Sequence, residues 1–513
     1  MTSRYYVTTP IYYVNGAPHI GHAYTSIAAD VLARFNRLDG RDVFFLTGTD
    51  EHGQKVEQAA QTAGIDTQSF TDGIAADFRS MADAMGISYD DFIRTTEPRH
   101  KQAAQALWEK VAANGHIYLD AYEGWYALRD ECFYSEDELT THADGRKTAP
   151  TGAPVEWVRE PSYFFRLSAF EDRLLALYEQ HPEFLGPMGR RNEIVSFVRQ
   201  GLKDLSISRT SFKWGIPVPG DADHVMYVWF DALTNYLSAL GYPDFSAERM
   251  KYWPASAHIV GKDIIRFHAV FWPAFLMAAE IDLPHSVFAN GWWTIEGEKM
   301  SKSIGNVIDP RDLVASYGLD PVRFFLLREV PFGGDSDLSK RSLVNRLNVE
   351  LANDLGNLAQ RTLSLIARNC DATLPAFDAL SEDDTALLAS ASLLPELLRG
   401  QMGRFALTDG LEEVWKVIRA CNSYIDRQAP WALKKTDLVR MATVLRVLHE
   451  AMRHIAILLQ PYMPGTMDKL LTQLGVAETA RDFASLATPL DAGITLPAPQ
   501  GLFPRYVEPE TAA

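Results

Sequence analysis

The stretch that decides the fold opens at Tyr5-Tyr6-Val7-Thr8-Thr9, passes through Pro18-His19-Ile20-Gly21-His22 and Val43-Phe44-Phe45-Leu46, and ends at Gly48-Thr49-Asp50-Glu51-His52-Gly53. Residues 5–9 are β-branched and aromatic and read as a buried strand. Residues 20–38 read as a helix closed by Asp39-Gly40 at its C-cap, and residues 43–46 as a second strand. Strand, helix, strand is the βαβ unit of an α/β fold with a doubly wound parallel sheet. Such sheets bind ligands outside the carboxyl ends of their strands, where residues 15–22 and 48–53 would both lie.

Working outward, residues 118–163 are rich in aromatics, Gly, Pro and alternating charge, which suits a small β-containing insertion. The α/β signature returns at residues 225–230 (VMYVWF) and 257–260 (AHIV). From residue 343 onward the pattern is helical: Leu347, Leu351, Leu355 and Leu358 step by four, four and three, and Leu445, Leu448, Met452 and Ile455 by three, four and three. The proline-rich residues 496–513 are expected to wrap or fray.

With 513 residues, 47% hydrophobic and 22% charged, the chain suits about three or four globular units rather than a disordered, collagen-like or disulfide-built protein. The 49 basic and 66 acidic residues leave a net charge of −17, which argues against broad nonspecific nucleic-acid binding but leaves room for a local basic groove. Cys132, Cys370 and Cys421 are scattered and read as free thiols in a reducing compartment. The longest apolar run, residues 269–279, is 11 long and contains Pro273. A membrane span needs ~18–20 residues. With no secretory or transit pattern at the amino terminus, the expected location is the cytoplasm.

Two motifs carry chemistry. His19 and His22 stand three apart at the start of the first helix, where the dipole and unpaired N–H groups favour phosphate. Gly21 between them leaves room for a flat adenine against the backbone. Lys299-Met300-Ser301-Lys302-Ser303 lies between Gly297 and Gly305, so two ammonium groups and two hydroxyls on a flexible loop can clamp a triphosphate. Either motif alone also reads as ordinary surface residues.

Together and in this order, His19-Ile20-Gly21-His22 and Lys299-Met300-Ser301-Lys302-Ser303 resemble the HIGH and KMSKS signatures of class I aminoacyl-tRNA synthetases. Further stretches are similar to the methionyl-tRNA synthetase family: residues 11–16, 48–53, 228–232, 261–268 and 428–431, so the resemblance runs from Tyr5 to about Pro464. It implies a Rossmann-like catalytic domain in two halves, residues 1–115 and 226–293, split by a connective insertion at 116–225. A KMSKS-bearing linker at 294–348 and an all-α anticodon-binding bundle at 349–513 would follow.

The resemblance also implies site residues. His19, His22, Lys299 and Lys302 would be catalytic; Gly21, Gly261, Asp263 and Ser301 would join them in binding ATP, with Mg²⁺ arriving on the nucleotide. Ile11, Tyr13, Trp229, Tyr236, Ile264, His268 and Trp272 would hold the methionine side chain, and Asp50 its ammonium group. His268 and Trp272, four apart, are expected on one helix face. Asn357, Arg361, Pro430 and Trp431 would read the anticodon of tRNA(Met), with initiator and elongator tRNA both expected as partners. Where many relatives carry zinc-binding Cys-x-x-Cys pairs in the insertion, this sequence has Ala127 and Asp130, so no structural zinc is expected and no metal ligands are assigned. Trp125, Tyr126, Phe133 and Tyr134 are then expected to pack the knuckle. A monomer is expected. The rival readings are a class I synthetase for another amino acid and a catalytically inert tRNA-binding relative.

Overall fold

The computed structural model describes residues 3–130, 132–299 and 306–507. Its centre is a parallel sheet of six strands: β1 (Arg4–Tyr13), β2 (Asp42–Asp50), β3 (Asp91–Arg94), β4 (Leu185–Gly186), β5 (Ala257–Gly261) and β6 (Val287–Asn290), in the spatial order β3-β2-β1-β5-β6-β4. The order reverses between β1 and β5. At that switch point the connections leave in opposite directions and open a crevice at the strands' carboxyl ends. β1 is longer than residues 5–9 because the chain stays extended past Pro10, with a register shift between Thr8 and Ile11 where proline has no N–H to give the ladder. β4 comes from the segment expected to be insertion and adds an edge strand beside β6.

The first helix, α1 (Ile20–Leu38), has the bounds expected from sequence, with Asp39 as C-cap and Gly40 at φ +79°. Ile20, Ala23, Tyr24, Ile27, Ala28, Val31, Leu32 and Phe35 are buried, and so is Asp30. Asp30 accepts from Arg323 at 2.6 Å, and the same guanidinium also donates to the carbonyls of Met85, Pro461 and Tyr462. Both charges are fully buried, and their pairing ties α1 to the carboxyl-terminal helices.

Residues 225–230 do not form one strand. Val225 and Met226 end a strand (Asp221–Met226) of a separate three-stranded sheet, and a helix begins at Val228. A short apolar run does not tell strand from helix, and here it contains the junction. The insertion is a four-stranded antiparallel sheet of Ile117–Ala127, Cys132–Tyr134, Glu156–Phe165 and Leu205–Ser206. Its knuckle is held by a cluster of Ala127, Ala149, Ala153 and Val155, against which Trp125, Tyr134 and Leu139 pack. Tyr126 and Phe133 instead lie under the Arg209 guanidinium. Asp130 accepts from Tyr134 Oη at 3.1 Å and from Thr151 Oγ1.

The carboxyl-terminal part is helical: Asn357–Asn369, Glu382–Met402, Leu407–Gln428 and Leu438–Leu459 pack on a shared core. It is entered through Leu347–Gly356, wound as a π-helix, in which Leu347, Leu351 and Leu355 are buried in steps of four. The tail wraps back: Leu374 N donates to Ile494 O, and Asn348 and Tyr506 exchange two hydrogen bonds. Among the described residues no helix is long and apolar enough to cross a membrane.

Candidate active site

The crevice at the switch point is a cleft of about 1700 Å³. His19, Gly21 and His22 line one part; Ile11, Tyr13, Asp50, Trp229, Tyr236, Ile264 and His268 line another; Gly261 and Asp263 lie on β5 and the turn after it.

His19 is the N-cap of α1: its Nδ1 accepts from Gly21 N at 3.1 Å, while His22 Nδ1 accepts from His19 N at 3.2 Å. This is a capping box built from two imidazoles. The rings stack with centroids 3.8 Å apart, and Tyr12 and Phe78 flank His22. Because both Nδ1 atoms accept, each neutral ring carries its proton on Nε2, the donor form a phosphate needs. A Cβ on Gly21 would lie 3.0 Å from the His19 ring, so the glycine keeps space for the capping imidazole.

At the opposite part, burial pushes the His268 imidazole down to about 4, partly offset by its hydrogen bond with Ile264 O. Nδ1 donates to that carbonyl at 3.0 Å, so Nε2 is an acceptor and Tyr236 Oη donates to it at 2.7 Å. These two side chains are therefore uncharged at neutral pH. Trp229 stacks on Phe267 at 3.7 Å and closes the apolar side. Asp50, 7% exposed at the end of β2, is the carboxylate at this wall.

Trp272 is not among the residues lining the cleft; it lies fully buried against Tyr236, with Nε1 donating to His258 Nε2 at 3.3 Å. Phe267–Phe271 forms a π turn, and His268 and Trp272 both still pack on Tyr236, with ring centroids 5.7 and 5.9 Å away.

Ser301 and Lys302, and the side chain of Lys299, lie outside the described residues. The backbone of Lys299 pairs with Thr294 in a hairpin, Thr294 and Val307 line the cleft, and Ile308 O accepts from Ile20 N at 3.3 Å. The described chain on either side of that segment thus reaches the cleft, on the α1 side.

Sequence reasoning left several lining residues unassigned. Lys262 pairs with Asp335 at 2.6 Å and sits 4.0 Å over the Trp292 ring. Arg209, 3% exposed, lies over Tyr126, Phe133 and Tyr227. Asn290 accepts from Thr25 Oγ1 at 3.0 Å and joins β6 to α1. Lys262 lies inside a stretch whose family likeness was visible, but its ion-pair partner is 73 residues away.

In the helical domain, Arg361 pairs with Asp426 at 2.6 Å and its guanidinium lies 5.2 Å from the Trp431 ring centroid. Trp431 is 41% exposed and Asn357, one turn before Arg361, is exposed. Pro430 is buried at the first turn of a short helix, next to the exposed Trp431. Among the described residues no group of three or more His, Cys, Asp or Glu side chains gathers to hold a metal.

Residues 5–363 match the family model described as tRNA synthetases class I (M), and residues 374–513 match that of the anticodon binding domain of methionyl tRNA ligase. Two proteins named methionine–tRNA ligase, from Mesorhizobium japonicum and Brucella suis, are each 57% identical to this chain, covering 98% of it and 98% of their own length. A solved structure of Mycobacterium tuberculosis methionyl-tRNA synthetase in complex with methionyl-adenylate is 51% identical, with a TM-score of 0.96 over 98% of this chain and 100% of that one. The switch-point cleft and imidazole-capped first helix are thus those of a class I aminoacyl-tRNA synthetase. Within that class, the chain belongs to the methionyl-tRNA synthetase family.

Proposed function

We propose that the cleft carries out both steps of methionine–tRNA ligation with the residues gathered around it. The chain is an ATP-dependent methionine–tRNA ligase that works through methionyl-adenylate. In the first step a methionine carboxylate oxygen bonds to the α-phosphorus of ATP while the bridge to pyrophosphate breaks. In the second, the terminal adenosine hydroxyl of tRNA attacks the acyl carbon, and AMP leaves.

No side chain need form a covalent intermediate, so positioning and charge stabilisation dominate. Asp50 takes the ammonium group; Ile11, Tyr13, Trp229, Tyr236, Ile264 and His268 surround the thioether. Gly21, Gly261 and Asp263 seat the nucleotide, and His19 and His22 donate from Nε2 to the α-phosphate. Lys299, Ser301 and Lys302 hold the departing pyrophosphate, and Mg²⁺ enters with ATP.

The observation that carries this reading is the capping box, which occupies both Nδ1 atoms and commits both Nε2 atoms to donation in the same cleft as Asp50 and an uncharged apolar wall. Asn357, Arg361 and Trp431 would meet the anticodon of initiator and elongator tRNA(Met), and the enzyme would act as a cytoplasmic monomer. ATP–pyrophosphate exchange across the twenty amino acids tests the reading: exchange with methionine alone is expected, and exchange driven by another amino acid, or by none, overturns it.

A further inference from the structure

Behind the methionine end of the cleft lies a hydrogen-bonded chain that the chemistry above does not use. Asp231, fully buried in α3 (Val228–Leu233), is held by His52 Nδ1 at 2.7 Å on one oxygen and by His100 Nε2 at 2.8 Å on the other. His100, fully buried in α2 (Pro98–Ala113), meets Ser238 Oγ at 2.9 Å through its Nδ1. Ser238 ends α4 (Asn235–Ser238). Paired with the two imidazoles, Asp231 ionises at about 2 despite the opposing cost of burial. A carboxylate in that state only accepts, so both histidine nitrogens facing it carry protons.

The register of this chain against the cleft is regular. His52 follows Asp50 by two residues, Asp231 follows Trp229 by two, and Ser238 follows Tyr236 by two. Three cleft residues from three elements are thus each backed by an anchor, and the anchors are bonded to one another. The anchors bridge the sheet's first half, which carries Asp50, to the segment after the insertion, which carries Trp229 and Tyr236. The turn bearing His52 is clamped further: Trp214 Nε1 donates to Glu51 O at 2.6 Å, and Arg94 grips the Glu51 carboxylate through Nε and Nη2.

We infer that Ser238–His100–Asp231–His52 is a buried positioning array that sets the Asp50 carboxylate at its working distance from the aromatic wall, and so fixes recognition of the substrate's α-ammonium group. The inference rests on Asp50 being the ammonium partner. None of the four anchors touches substrate, and each acts through the cleft residue it backs. A carboxylate displaced by a fraction of an ångström loses its ion pair while the apolar pocket still accepts the side chain.

The test compares L-methionine with its des-amino analogue, 4-(methylthio)butanoate, in the full-length enzyme. Methionine is read by KM in pyrophosphate exchange, and the analogue by its inhibition constant in the same assay. Asp231→Asn, which keeps the shape but cannot accept two N–H bonds on two carboxylate oxygens, should raise KM for methionine about tenfold or more, with the analogue's constant and KM for ATP changed less than about threefold. A second pair of variants guards against a failure of Asp231→Asn to fold: His52→Asn keeps an N–H at the Nδ1 position and should restore the wild-type ratio of the two constants, whereas His52→Leu should lose it. Equal losses for methionine and the analogue, or a lowered melting temperature with the ratio intact, would make the array merely structural and overturn the inference. Wild-type enzyme without methionine-dependent exchange, or Asp50→Asn leaving the ratio unmoved, would instead refute the functional reading on which it rests.

Discussion

His22 has two separable duties in this structure, and substitution can remove them one at a time. Its Nδ1 accepts the His19 N–H at 3.2 Å and completes the helix cap, while its Nε2 is the donor assigned to the α-phosphate. Asparagine places an acceptor oxygen where Nδ1 stands but has no atom at the Nε2 position. Glutamine does the reverse. Loss of a capping interaction costs about 0.5–2 kcal/mol of stability. Loss of one preorganised donor to charge developing in a transition state costs roughly 10²–10³ in rate. His22→Asn should therefore melt close to wild type yet slow single-turnover adenylate formation by about two to three orders of magnitude, with KM for methionine changed less than about threefold. His22→Gln should lose stability and keep more of the rate. The assays are pyrophosphate exchange, rapid-quench adenylate formation and thermal melting. If His22→Asn retains its rate, or if KM for methionine rises in step with the rate loss, the assignment of Nε2 to the transition state is wrong.

Burial lowers the pKa of His258, His268 and His449, the latter two to about 4. Unfolded histidines take up protons below about 6.5 while these three do not, so stability should fall as pH drops from 6.5 toward 5, by up to about 1.4 kcal/mol per pH unit for each group. Melting temperatures read this before the carboxylates titrate, and a flat profile there would contradict the neutral state of the apolar wall. Trp431→Ala should reduce tRNA charging by roughly 5–150-fold, the value of one stacked base, and leave pyrophosphate exchange unchanged; a defect in exchange would make the residue structural. Gly291→Ala should destabilise by about 1–3 kcal/mol and raise KM for ATP, because a Cβ there would lie 2.2 Å from the Gly334 carbonyl oxygen and push apart the strands beside Trp292. Unchanged melting and KM would show that the backbone yields at no cost.

The parts of this fold legible in the sequence are those specified locally. The ends of α1 are written in a cap at each terminus, and the strands flanking it carry β-branched and aromatic residues, so the βαβ unit could be read directly. What was missed depends on long-range or unusual backbone geometry. The π turn at Phe267–Phe271 has no signature in residue type. The four-residue leucine steps at Leu347, Leu351 and Leu355 do record the second π segment, but they also suit an α-helix. Pro430 was named from the family resemblance alone, and its place at a first helical turn, where proline commonly starts a helix, was not read from the sequence. The Asp231 array and the Lys262–Asp335 pair join residues separated by 179, 131 and 73 positions, distances that no periodicity or spacing reveals.

The most direct test of the account is a structure of this protein with methionyl-adenylate bound. The account predicts the phosphate oxygens about 2.7–3.1 Å from Nε2 of His19 and His22, the ammonium group on Asp50 and the thioether against Tyr236 and Trp229. A phosphate held away from both imidazoles, or an ammonium group paired with any other carboxylate, would contradict it.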